Sequence, residues 1–273
     1  MENSQLYLRD VGVLLYKEEK DLLKRIDRCI SFQIKGLNIQ ITLNREFLLT
    51  TYKVVEQELI KKLLNFESVI IHLHTDQSNK FGRNNFTDQT LSVIKNLFLQ
   101  SNNIDGLCIH PDLVDDFSVL ERFILNDKYM GIEVLDKNVK FGNRFSDIKK
   151  ILEEYDFLSL VLDTAHIQEM EEEGEPYLKQ YIDFFSDRIM EMHVSRSGNY
   201  YDMDKMSKDF KTSHSLLSIS NNDIIKTIYK SKVSDANYVL EGVIPYGEYG
   251  EGLLKKEVEY LKKSLFQMLP EQN

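Results

Sequence analysis

The stretch 158-LSLVLDTAHI-167 decides how the rest of the chain is read. Five mostly apolar residues run into Asp163, and His166 follows three residues later. Short apolar runs ordinarily end in turn residues, yet this one ends in a carboxylate and an imidazole. Seven more runs have the same strand-like character: VGVLLY (11–16), LNIQITL (37–43), SVIIHLH (68–74), GLCIH (106–110), MGIEVL (130–135), IMEMHV (189–194) and YVLEGV (238–243). Between them lie stretches of helical period: KDLLKRIDRCISFQI, EFLLTTYKVVEQELIKKLL, TLSVIKNLFLQ, SVLERFILN, SDIKKILEEY, YLKQYIDFFSD and NDIIKTIYKS, with LLKKEVEYLKKSLFQML closing the chain. Eight strands alternating with eight helices predict an α/β protein, a single (β/α)8 TIM barrel over residues 1–273. A doubly wound open sheet competes. It rarely needs eight units, and no GxGxxG follows the first predicted strand.

The bulk composition agrees. Hydrophobic residues make up 42% of the 273, enough for a sizeable core, and no Pro-, Gly- or Ser-rich linker divides the chain. The formal net charge of −10 argues against broad non-specific binding to nucleic acid. Cys29 and Cys108 match no CxxC or zinc-finger spacing and read as reduced and buried, as expected of a cytoplasmic protein. The start MENSQLYLRD lacks a signal-peptide pattern, and no apolar run approaches a membrane span. The acidic run EMEEEGE (169–175) reads as a solvated helix start.

Ionisable groups collect at the ends of the predicted strands. Of the six histidines, His72, His74, His110, His166, His193 and His214, five lie at or just after a strand's C-terminal end, as do Glu133, Asp163 and Glu241. In a barrel those ends surround one mouth, where active sites are built. A lone strand-end histidine is more often a satisfied polar residue than a ligand. A carboxylate inside an apolar strand is harder to dismiss, since burying it unpaired costs about several kcal/mol. Three such carboxylates need a compensating charge, and the predicted strands contain no Lys or Arg. Divalent metal supplies it. Imidazole plus carboxylate without thiolate suits Zn, Mn or Fe better than Ca or Mg. The donors exceed the needs of one ion, so two or three metals sharing bridging carboxylates are expected. Lys80 and Arg83 in KFGRNNF (80–86) are candidate contacts for an anionic substrate, and KFGNRF (140–145) is a similar loop. The polar segment 195–214, with Arg196, Lys205, Lys208 and Lys211, is the expected lid or substrate loop.

The ordered motifs resemble the xylose isomerase-like TIM-barrel superfamily, which includes endonuclease IV and many sugar isomerases and epimerases. VLDTAH resembles the sixth-strand Asp followed three residues later by His. CIHPD resembles the fourth-strand His-Pro, GIEVLD the fifth-strand Glu, MEMHVSRS the seventh-strand His and VLEGV the eighth-strand Glu. His214 in TSHSLL resembles the histidine that follows the seventh strand in endonuclease IV, and His72 or His74 in IIHLH matches the third-strand histidine. Residues i and i+2 share a strand face, so the choice between those two stays open. The endonuclease IV branch implies a three-zinc phosphodiesterase. The isomerase branch implies one metal on Glu133, Asp163, His193 and Glu241, with Glu133 and Glu241 as proton shuttles and His166 and Arg196 on the substrate. The chain departs from the nuclease pattern at Thr212, where an Asp would stand, at LLSIS and at SRS. IIHLHTD also resembles the opening HxH of the polymerase-and-histidinol-phosphatase phosphoesterases, but the DxH that ends that family's pattern is missing.

The expectation is therefore a metal-dependent phosphoester hydrolase with a multinuclear His/Asp/Glu site. Glu133, Glu241 and His166 are the catalytic candidates, and the partner is a small anionic or sugar-phosphate substrate or DNA. A single-metal sugar or sugar-phosphate isomerase or epimerase is the alternative. Oxidative iron chemistry on a peptide and a degenerate, non-catalytic barrel are further possibilities.

Overall fold

The computed structural model describes residues 4–10, 21–125, 128–206, 210–220, 223–231, 233, 236–245 and 247–266. Eight parallel strands close into a barrel: β1 (Leu6–Arg9), β2 (Asn38–Leu43), β3 (Val69–Leu73), β4 (Ile104–Ile109), β5 (Tyr129–Glu133), β6 (Leu158–Asp163), β7 (Ile189–Val194) and, numbered in chain order after a short hairpin, β10 (Asn237–Leu240). The hairpin is β8 (Arg196–Ser197) paired antiparallel with β9 (His214–Ser215). The helices are α1 (Leu22–Ser31), α2 (Tyr52–Leu63), α3 (Asn85–Gln100), α4 (Phe145–Glu154), α5 (Thr164–Glu171), α6 (Leu178–Phe185), α7 (Ile224–Ser231) and α8 (Glu248–Leu261).

The strands read as near-continuous apolar runs because both faces are covered, by helices outside and by the barrel filling inside. Tyr7, Ile70 and Val239 form a small interior cluster with Tyr129 against it, separate from the large core between strands and helices. Two residues further along the same strands stand Arg9, His72 and Glu241, and four beyond Tyr129 stands Glu133. The period of two keeps these residues on the inner face. A lower, largely apolar layer thus carries an upper layer of charge at the mouth. Gly106 on β4 makes room in the lower layer: a Cβ there would fall 2.2 Å from the Tyr129 ring.

Seven predicted strands coincide with β2–β7 and β10 to within three residues at either end. VGVLLY (11–16) lies outside the described residues, and the first barrel strand is instead Leu6–Arg9. It brings in the cation that the predicted strands lacked. SVLERFILN is not an α-helix. Phe117–Phe123 winds as a 3₁₀ helix, with Asp116 accepting from Ser118 N at 3.0 Å. Phe117, Leu120 and Phe123 are its buried period-three face, which suits three residues per turn. The acidic run does not start a helix. Its first residues end α5, whose start is capped by Asp163.

Candidate metal centre

Glu133, the last residue of β5, is fully buried at the middle of the mouth. Its two oxygens face different neighbours. Oε1 lies 3.3 Å from His193 Nδ1 and 3.8 Å from His166 Nδ1. Oε2 lies 2.9 Å from His72 Nε2 and 3.5 Å from His110 Nε2. Asp163 ends β6 and spends Oδ1 on the helix that follows, accepting from Ala165 N at 2.8 Å and His166 N at 3.0 Å. This N-cap answers why the apolar run ends in a carboxylate: the side chain starts α5 and turns its other oxygen to the cluster. Asp163 Oδ2 stands 3.5 Å from His166 Nδ1 and 3.9 Å from His193 Nδ1. Glu241, just past β10, places Oε2 3.3 Å from His193 Nδ1.

Four of these atoms, Glu133 Oε1, Asp163 Oδ2, His193 Nδ1 and Glu241 Oε2, are buried with no hydrogen-bond partner. Buried polar atoms are rarely left so. The same four residues each offer one ligand atom, all within 4.8 Å of one another. One divalent cation would satisfy all four, so the donor set fits a metal. Three further groups adjoin it among the described residues: His72 with Cys108 and Glu133, Cys108 with Glu191 and His193, and Asp163 with His166 and His214.

The histidines are oriented from behind. His193 donates Nε2–H to Glu191 Oε1 at 2.6 Å, which leaves Nδ1 for the cluster. Glu191 is itself fully buried, and it accepts from Gln40 Nε2 at 2.5 Å and from the Tyr129 hydroxyl at 2.7 Å. A carboxylate behind a ligating imidazole fixes its tautomer and raises its basicity. His166 donates Nδ1–H to the Val134 carbonyl at 2.8 Å. His214 Nδ1 is 2.9 Å from Ser195 Oγ. Thr212 Oγ1 accepts from His214 N at 2.9 Å, so the residue standing in place of the expected Asp is tied to backbone.

Electrostatics divide the imidazoles. Burial works against charge on His193, but Glu133 and Glu191 outweigh it and push the ring up to about 10. His166 is raised in the same way, with burial opposed by Asp163 and Glu133. His72 is held well below the ordinary imidazole range, by burial first and then by Arg9. Burial also lowers His214. Burial alone would raise Glu133, yet His193 and His110 hold its carboxyl well below the usual range.

Of the third-strand pair, His72 is the one at Glu133. His74 is exposed, its ring 5.5 Å from that of His110. Arg196 lies at the hairpin base with its guanidinium 4.3 Å from the Tyr200 ring centre. In the segment carrying it, Lys208 lies outside the described residues. The structure does not bring Lys80 and Arg83 into the cluster. Arg83 donates Nε–H to Asp116 at 2.8 Å, and Lys80 stands 3.9 Å from Asp115. Sequence reasoning missed Arg9, whose Nη1 pairs with Glu241 Oε1, and Glu191. The signal for Glu191 was present in IMEMHV, where a carboxylate sits two residues before His193 on the same strand face.

The barrel as a whole matches solved structures along nearly its full length. D-allulose 3-epimerase from Methylomonas sp. has a TM-score of 0.67 at 12% identity, over 96% of this chain and 98% of that one. A xylose isomerase domain protein from Alicyclobacillus acidocaldarius has a TM-score of 0.63 at 11% identity, over 96% and 98%. Endonuclease IV from Thermus thermophilus has a TM-score of 0.56 at 12% identity, over 95% and 99%. The fold is that of the xylose isomerase-like barrels. No protein-family model matches the sequence, and no curated protein matches it. At such low identity the likeness is one of fold.

Proposed function

We propose that the chain is a divalent-metal-dependent phosphoester hydrolase whose centre is built around Glu133. The observation that supports this is the division of the Glu133 carboxylate, with Oε1 toward His193 and Oε2 toward His72 and His110. A carboxylate facing two donor sets suits a bridge between two ions. Glu133, Asp163, His193 and Glu241 would hold one, and Glu133, His72 and His110 the other. Asp163, His166 and His214 form a third, poorer corner, because Thr212 supplies no carboxylate. Zn, Mn or Fe suits these donors. Bound there, divalent ions supply Lewis-acid stabilisation of charge on a phosphoryl group.

The chain's own groups do the rest. His166, with Nδ1–H committed to Val134, keeps Nε2 to hold a proton. Arg196, in register with Ser215 and one residue from the His214 pair, contacts the substrate's anionic oxygens. The net charge of −10 favours a small phosphorylated substrate over DNA. The test joins metal analysis to turnover of bis(p-nitrophenyl) phosphate. Two or more ions per chain with hydrolysis lost in Glu133→Gln supports the reading, and one ion without hydrolysis sinks it.

A second reading, a single-ion sugar isomerase or epimerase, draws on the four partnerless atoms and on Glu133 and Glu241 each lying 3.3 Å from His193 Nδ1. Interconversion of ketoses by a one-ion protein, abolished in Glu241→Gln, would establish it instead.

A further inference from the structure

Three buried carboxylates, Glu133, Asp163 and Glu241, meet at the mouth, with Glu191 behind His193, and a buried guanidinium reaches one of the three, Glu241. Arg9 is the last residue of β1 and is 8% exposed. The register pairs Leu8 with Leu240 on one side, which brings Arg9 beside Glu241, and Arg9 with Gln40 on the other. Its Nη1 takes Glu241 Oε1, and its Nη2 lies 3.5 Å from His72 Nε2. Its Nε is buried without a partner. The guanidinium therefore touches a residue of each of the two corners that share Glu133. Glu241 is divided as a result, with one oxygen held by Arg9 and the other, Oε2, partnerless at the four-residue corner.

We propose that Arg9 is a resident cation of the metal centre, covering the charge of Glu241 and weakening the hold on divalent metal. The inference rests on the reading that this cluster binds metal. Its physical basis is that a guanidinium cannot shed its charge as an ion arrives, and like charges at close range in a low-dielectric site repel strongly. The opposing effect is that Arg9 orients Glu241, and orienting groups strengthen metal binding. The two effects predict opposite signs when Arg9 is removed, so the experiment discriminates between them.

The measurement is Mn²⁺ binding by calorimetry to the full-length chain stripped with chelator, for the parent and for R9M, R9Q and R9K. R9M and R9Q are expected to bind Mn²⁺ roughly 5- to 150-fold more tightly, the usual range for coupling between two sites. R9K, which keeps the charge, is expected to stay close to the parent. Binding by R9M and R9Q that is equal to or weaker than the parent's overturns the proposal and makes Arg9 an orienting residue. Thermal melts of the metal-free proteins show which variants fold, and R9Q carries the comparison if R9M melts early. A parent chain that takes up no ion while R9M does removes the proposed function and leaves this inference standing. No uptake by any of them overturns both.

Discussion

His193 has a carboxylate on each side: Glu191 takes its Nε2–H, and Glu133 and Glu241 face its Nδ1. Without Glu191 the ring loses the partner that selects its tautomer. Glu191→Ala should weaken metal affinity about 10- to 100-fold, the usual effect of removing a group behind a ligand. Calorimetric titration of the stripped protein reads this directly. The third-strand pair gives a second contrast. His72→Ala should lower the metal content of the purified chain, whereas His74→Ala should leave it intact, because only His72 reaches Glu133. Metal analysis showing the reverse would move the ligand to the rim.

At the scale of elements, the strands were legible from pattern and one end of the barrel was not. LSLVLD and IMEMHV coincide with β6 and β7 residue for residue, since runs bounded by a cap or turn leave little freedom. β1 escaped because LYLR is only four residues long and ends in a charge, and the more apolar VGVLLY beside it drew the assignment. With β1 went Arg9, and with Arg9 the charge balance of the site. The remaining ligand candidates could be listed from strand ends, but nothing in one dimension says that Glu133 divides its oxygens or that Thr212 turns to backbone. Another element supports the site from outside. Glu257 on α8 is fully buried and accepts from Leu217 N at 2.8 Å and Ser218 N at 2.7 Å, fixing the turn that follows β9 and His214. Glu257→Ala removes the acceptor of both bonds and should cost about 0.5–1.5 kcal/mol or more for each, read by urea unfolding.

For the whole molecule, the mouth couples stability to pH. His193 has an ordinary value of 6.5 and is pushed up to about 10 in the folded, metal-free chain. A folded value above the unfolded one means that the folded state holds the proton more tightly. The stability it brings is full below about 6.5 and is lost as pH rises toward 10. Urea melts of the stripped chain at pH 6.5, 8 and 10 should therefore show a decline from this group, flattened in His193→Asn. Metal binding near pH 7.5 should also release a proton, because Nδ1 must be free to ligate. Calorimetry in buffers of different ionisation enthalpy counts it. Among the described residues no helix is long and apolar enough to cross a membrane.

The bare α-carbon of Gly106 starts a chain of contacts across the barrel. The space a methyl would fill at β4 is taken by the Tyr129 ring of β5, whose hydroxyl bonds Glu191 of β7, which in turn steers His193. Three strands are thus spanned by one relay, and its first link is an absent atom. Gly106→Ala touches no charged group, yet it should be felt as a loosened imidazole on the far side of the sheet. A single alanine at that position would weigh how far the mouth depends on the volume of the layer beneath it.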